Sequence, residues 1–296
     1  MQRLSNNKYF LSHEEPRLDP NKLDLVIRHA LLEDIGKGDI TTELTIPKNK
    51  NLKANIVAKE DCVLCGMEVL ERVFQIVDKD IKFTPGASEG QKLKKGKIVV
   101  SIEGKAHRIL EGERVALNLL SHLSGIASKT REFVEMAKPH KVKITDTRKT
   151  MPGLRELQKY AVRIGGGFNH RMALDEMILI KDNHLQVTEG YTQLPKVPKG
   201  YKIEIEVENL DEFKHALKFK PDVIMLDNMK LEDIKKAAEI RNDTAFTSHH
   251  PQTKLEVSGG INLENLKEVA ATGVDLISVG ELTHSVKAID FSLDVI

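Results

Sequence analysis

The sequence predicts an α/β protein whose larger, C-terminal part closes like a barrel from parallel β/α units, behind an α+β opening of about 110 residues. Two observations predict it. Six short apolar runs, VKITD, MILIKD, IEIEV, VIMLD, KLEVSG and DLISVG, recur in the second half of the chain. Helix-patterned stretches, ENLDEFKHALKF, LEDIKKAAEI and NLENLKEVAATG, fit between several of them. Near-continuous apolar strands alternating with amphipathic helices are the signature of a parallel sheet covered by helices. Six strands in about 140 residues favour a barrel-like closure over an ordinary eightfold barrel, for which the chain is short. A doubly wound open sheet is the alternative, but no GxGxxG follows the first strand of the series, where a dinucleotide fold would place it.

The elements follow in order. PNKLDLVIRHALLE, residues 20–33, has apolar positions at helical spacing after a proline start, and DIGKGDITTELTIP ends that helix with glycines and a proline. LKANIVAKEDCVLCG alternates as a strand does, and GMEVLERVFQIVD is a short amphipathic helix. DIKFTPGASEGQKLKKGKIVVSIEGKAHRIL reads as brief strands joined by glycine-rich turns. From Glu111 the stretch EGERVALNLLSHLSGIASKTREFVEMAK is a long helical pattern that Gly125 breaks or bends. LQVTEGYTQLPKVPKGY, with two prolines and two glycines, is a loop. We divide the chain into an N-terminal domain of residues 1–114, completed by 286–296, and a barrel domain of residues 115–285.

With 45 Lys and Arg against 44 Asp and Glu in 296 residues, net charge gives no case for a nucleic-acid or membrane partner. No apolar run is long enough to span a bilayer and no signal-peptide pattern opens the chain, so a cytoplasmic protein is expected. Cys62 and Cys65 form a CxxC without further soft ligands nearby, which reads as packing in a reducing compartment. Basic residues are concentrated instead: Arg148, Lys149, Arg155, Lys159, Arg163, Arg171 and Lys181 fall in one stretch with few acids.

In a barrel of parallel strands the C-terminal strand ends converge on one mouth. Those ends are chemically sorted here. Arg148, Lys149, Arg171 and Lys181 supply positive charge suited to carboxylate or phosphate oxygens. The period-two run KIEIEVE turns Glu204 and Glu206 to one face, the barrel interior, either as part of a site or as an internal ion-pair layer. Asp227, followed by Asn228, either binds a divalent metal through waters or caps the next helix. Ser258, Gly259, Gly260 and Gly280 expose backbone N–H groups suited to phosphate. His170, amid positive charge, is expected neutral and better suited to hydrogen bonding than to metal; His249 and His250 read as a solvated pair. With no nucleophilic triad, the chemistry expected is group transfer to a small heterocyclic acid from a phosphate-bearing donor.

LLEDIGKGDITTELTIP, GERVALNLLSHLSGIAS, DTRKTMPGLRELQKYAVRIGGG, NHRMALDEMILIKDNH, IEIEVENLDE, VIMLDNM, LEVSGGI and ISVGELTHS, in that order, resemble the quinolinate phosphoribosyltransferase family, the carboxylating nicotinate-nucleotide pyrophosphorylases. The resemblance implies an open-faced α/β sandwich joined to an incomplete α/β barrel. It implies transfer of phosphoribose from phosphoribosyl pyrophosphate to quinolinate with Mg²⁺, releasing pyrophosphate and carbon dioxide and giving nicotinate mononucleotide for NAD synthesis. It places Arg148, His170, Arg171 and Lys181 around the quinolinate carboxylates, with Lys149 beside them. Glu206 and Asp227 take the magnesium and ribose end, partly through water or substrate, and Ser258, Gly259, Gly260 and Gly280 take the 5′-phosphate. Lys149, Lys181, Glu206 and Asp227 are the catalytic set. Arg114 reaches a neighbouring subunit's site in a homodimer or hexamer. Between IKDNH and IEIEVE this chain has a shorter segment than the resemblance leads one to expect.

Overall fold

The computed structural model describes residues 10–12, 14–187, 198–243 and 253–296; His249, His250 and most of the 185–201 loop lie outside them. The chain divides into two compact units.

The first unit comprises the described residues of Met1–Glu14, with Glu132–Thr150 and Gly167–His284. Its strands are β6 (Lys143–Thr145), β7 (Ile178–Ile180), β8 (Ile203–Val207), β9 (Val223–Asp227), β10 (Lys254–Ser258) and β11 (Leu276–Ser278). All six apolar runs of the sequence are therefore strands. They form one sheet in the order β6-β11-β10-β9-β8-β7 with parallel pairing throughout. In that order the sheet would be a ring if β6 met β7, but those two are its edges, so the barrel is open. Phe168 makes an isolated parallel bridge to Thr145 on β6 and adds a stub of strand there.

Among the described residues of this unit, the helices between the strands are Asp182–Val187, Leu210–Leu217, Leu231–Asn242, Leu266–Ala270 and Glu281–His284. The first of these covers the opening residues of the stretch read as a loop. At the starts of the strands a small core joins Phe10, Leu11, Met177, Val223 and Leu276, with Phe168 packed against it. Two lysines lie over its rings, Lys143 over Phe168 at 4.3 Å and Lys202 over Phe10 at 5.1 Å.

The second unit comprises Glu15–Arg131, Met151–Gly166 and Ser285–Ile296. Its four-stranded antiparallel sheet runs β12 (Phe291–Val295), β1 (Asn51–Ala58), β5 (Ile98–Lys105), β3 (Lys82–Pro85). Alternation along β1 buries Ala54, Ile56 and Ala58. Helix α1 (Pro20–Ile35) buries Leu23, Ile27 and Leu31, and α3 (Met67–Val77) buries Val69, Leu70, Val73 and Phe74. Between them, Ile40–Thr45 is a helix capped by Asp39, where the sequence suggested only a terminating segment; Asp39 accepts from Thr42 N at 3.0 Å. Cys62 and Cys65 are free and buried, and burial raises both thiols, Cys62 to about 11.

Two expectations for the long helix are corrected. It spans Ala106–Ala137, so the HRIL segment is helical rather than extended. It also runs through Gly125 without a break. The glycine serves close packing there: a Cβ would stand 2.3 Å from the Lys287 carbonyl oxygen. The glycine triplet has a similar explanation. It ends α5 (Arg155–Gly165), where Gly166 adopts φ 97° as the left-handed cap and a Cβ on Gly165 would lie 2.5 Å from Thr130 Cβ.

Candidate active site

Of the seven clustered basic residues, Arg148, Lys149, Arg171 and Lys181 belong to the barrel unit, whereas Arg155, Lys159 and Arg163 lie on α5 in the other unit. The linear concentration of charge thus splits between two places.

At the end of β6 the buried Asp146 organises the turn beyond Phe168. Its Oδ1 accepts from His170 N at 2.9 Å and its Oδ2 from Asn169 Nδ2 at 2.5 Å. Arg171, 6% exposed, donates through Nη1 to the Met177 carbonyl at 3.1 Å. Burial lowers its pKa first, and the positive charge of Arg148 lowers it further. Arg148 Nε is buried with no hydrogen-bond partner. Two guanidinium groups held close enough to oppose each other's charge, one with an orphaned donor, constitute a demand for an anion.

Lys181 follows β7 and pairs with Glu206 on β8. Period two on β8 operates as expected: both glutamates are buried, and Ile203, Ile205 and Val207 pack on the opposite face. Asp227 ends β9, and its Oδ2 accepts from Asn228 Nδ2 at 2.8 Å. Ser258 ends β10 in register with Asp227. Gly259 and Gly260 follow with φ of 92° and 63°, and open space surrounds the Cβ position of Gly260. Gly280 follows β11; its Cβ position is hemmed by His284 Nε2 at 3.0 Å and Lys149 Cδ at 3.3 Å. Thr283 Oγ1 donates to the Lys149 carbonyl at 2.7 Å, tying that loop to the end of β11. Lys149 and Gly280 are therefore neighbours, although the sequence separates them by more than a hundred residues.

Beneath these ends lies a layer the sequence reading only half exposed. His170 Nε2 is 3.0 Å from Glu204 Oε2 and 3.6 Å from Glu256 Oε1. Ser278 Oγ donates to Glu256 and accepts from Thr145 Oγ1 at 2.7 Å. Burial is the main reason that both carboxyls are pushed up to about 8. His170, Glu204 and Glu256 hold their ligand-type atoms within 4.8 Å of one another, a buried group with the donors to coordinate a metal ion. Hydrogen bonding accounts for it here: His170 Nδ1 accepts from Arg171 N at 2.8 Å, which leaves the neutral ring's proton on Nε2, facing Glu204. Glu256 had a signal in the sequence, an acid at mid-strand in the apolar run LEVS, as Glu204 is in IEIEV.

Arg114 sits in the second unit on the long helix, with its side chain 60% exposed and Glu113 3.9 Å away. No helix among the described residues is long and apolar enough to cross a membrane.

An open parallel barrel with cations, carboxylates and glycine turns at successive strand ends defines a phosphoribosyltransferase-type protein. Family models for the N-terminal and C-terminal domains of quinolinate phosphoribosyl transferase match residues 39–124 and 126–294. The chain belongs to the quinolinate phosphoribosyltransferase family, and it is an enzyme. It is 39% identical over 278 residues to the nicotinate-nucleotide pyrophosphorylase [carboxylating] of Mycobacterium leprae (strain TN), covering 91% of this chain and 95% of that one. The structure of the nicotinate-nucleotide pyrophosphorylase from Francisella tularensis superposes with TM-score 0.87 at 38% identity, covering 96% of this chain and 100% of that one. That from Ehrlichia chaffeensis gives 0.86 at 41%, covering 92% and 98%.

Proposed function

We infer that the chain transfers phosphoribose from phosphoribosyl pyrophosphate to quinolinate, with loss of carbon dioxide, to give nicotinate mononucleotide and pyrophosphate. The observation that carries this is the Arg148–Arg171 pair with its orphaned Nε, which calls for an acid with more than one carboxylate. Lys181 and Lys149 extend the same positive field. His170, with both ring nitrogens engaged by the protein, lines this end as a fixed ring.

The donor substrate occupies the other strand ends. Ser258, Gly259, Gly260 and Gly280 take the 5′-phosphate, for which Gly260 leaves room. Glu206 and Asp227 take the ribose and magnesium end. Their carboxylate oxygens are the hard donors Mg²⁺ prefers, and Mg²⁺ bound there, partly through water or substrate, would offset charge on the departing pyrophosphate. As that bond breaks, positive charge grows on ribose C1 and the pyridine nitrogen attacks from the opposite face. Lys149 and Lys181 stabilise the anionic groups through the transfer. The pyridinium ring then draws electrons from the adjacent carboxylate, the C–C bond breaks, carbon dioxide leaves, and the ring carbon takes up a proton.

Arg114, exposed on its helix, completes a neighbouring site in a homodimer or hexamer, and the enzyme works in the cytoplasm. The test measures carbon dioxide and pyrophosphate release with quinolinate and with nicotinate as acceptors. Both products from quinolinate are expected. Turnover of nicotinate alone would assign the chain to a paralogous transferase with a monocarboxylate acceptor.

A further inference from the structure

Asn228 follows Asp227 at the end of β9 with φ 52°, in the left-handed region that asparagine tolerates better than most residues. Its backbone N–H donates to the Ser258 carbonyl at 2.9 Å. Its Nδ2 donates to Asp227 Oδ2 at 2.8 Å. Its carboxamide also lies against Gly259, where an added Cβ would fall 2.2 Å from Asn228 Oδ1 and 2.5 Å from Cγ. One side chain thus orients the Asp227 carboxylate and fills the space beside the Ser258–Gly260 turn. A residue that merely leaves a strand needs neither the left-handed backbone nor a glycine pressed against it. On the other flank Asn265 Nδ2 donates to the Gly260 carbonyl at 2.9 Å, so the turn is held from both sides.

We propose that Asn228 is a positioning residue that fixes the span between the Asp227 carboxylate and the phosphate turn. Phosphoribosyl pyrophosphate carries phosphate groups on both sides of its ribose, and productive binding needs both gripped at one separation. Asn228 sets that separation at the point where β9 and β10 are in register. The proposal rests on the roles given above to Asp227 and the glycine turn.

The test uses the full chain and varies each substrate separately. Asn228→Gly keeps the backbone conformation and removes the amide. It should raise KM for phosphoribosyl pyrophosphate by about tenfold, the loss expected for a hydrogen bond to a charged group. Quinolinate affinity, measured by direct titration, and thermal stability should stay at the wild-type level. Gly259→Ala should raise the same KM, and the pair Asn228→Gly with Gly259→Ala should cost less than the two single changes combined, because the clash is gone. A wild-type KM for phosphoribosyl pyrophosphate in Asn228→Gly, or equal loss of affinity for both substrates, overturns the proposal alone. A wild-type chain that does not convert quinolinate overturns the parent reading and takes this proposal with it.

Discussion

His170 points its Nε2 proton at Glu204 Oε2, 3.0 Å away, inside a layer where Glu204 and Glu256 are both fully buried. Burial raises both carboxyls from the usual value of 4.5 to about 8, and neither Arg171 near Glu204 nor His170 near Glu256 offsets it.

That shift has a direction for stability. Between 4.5 and about 8 the folded chain holds protons that the unfolded chain has released, so stability is highest below the lower value and falls as pH rises through the upper one. The slope is at most about 1.4 kcal/mol per pH unit for each proton retained. Urea denaturation from pH 5 to 8.5 should show this decline in the wild type, and Glu256→Gln should flatten it. An equally steep decline in Glu256→Gln would mean that other groups dominate.

Lys181 and Glu206 form the other consequential pair, one end of the basic set meeting the acidic set. Lys181 is 39% exposed and contributes little to the core, so Lys181→Ala should leave the fold intact. It should lower kcat by about a hundredfold, as removal of one electrostatic group from a transfer site does. Near wild-type rates with quinolinate would contradict the role. Mixing the Lys181→Ala chain with an Arg114→Ala chain is expected to restore part of the activity through sites that carry neither change. No recovery after verified subunit exchange would count against Arg114 acting across subunits.

Much of this was legible in the sequence because its period was. Six apolar runs gave six parallel strands, and period two on β8 placed Glu204 and Glu206 inside. What escaped depends on distance rather than pattern. Nothing local says that Lys149 neighbours Gly280, that Gly125 meets the Lys287 carbonyl, or that Asp146 holds the His170 backbone. The basic stretch is likewise divided by the fold: Lys159, counted in it by adjacency in sequence, is buried on a helix of the other unit. Glu256 was missed because a single acid in a short apolar run offers no second acid to establish a period.

Phe10 is a further case of long-range packing, and it carries the last prediction. Its ring meets the His170 imidazole edge-on, with centroids 5.2 Å apart, and it is 5% exposed among Leu11, Met177, Val223 and Leu276. Leu11 N donates to the Asn169 carbonyl at 3.0 Å, so this short N-terminal stretch braces the turn that presents Arg171. Phe10→Ala should destabilise the barrel unit by about 3 kcal/mol through cavity formation. Phe10→Leu, which keeps most of the volume, should cost less than half as much. Because the lost ring also braces His170, quinolinate KM should rise in Phe10→Ala at temperatures where the variant remains folded, while KM for phosphoribosyl pyrophosphate stays unchanged. Denaturation curves together with the two KM values decide it: a destabilised variant with an unmoved quinolinate KM would reduce Phe10 to core packing alone.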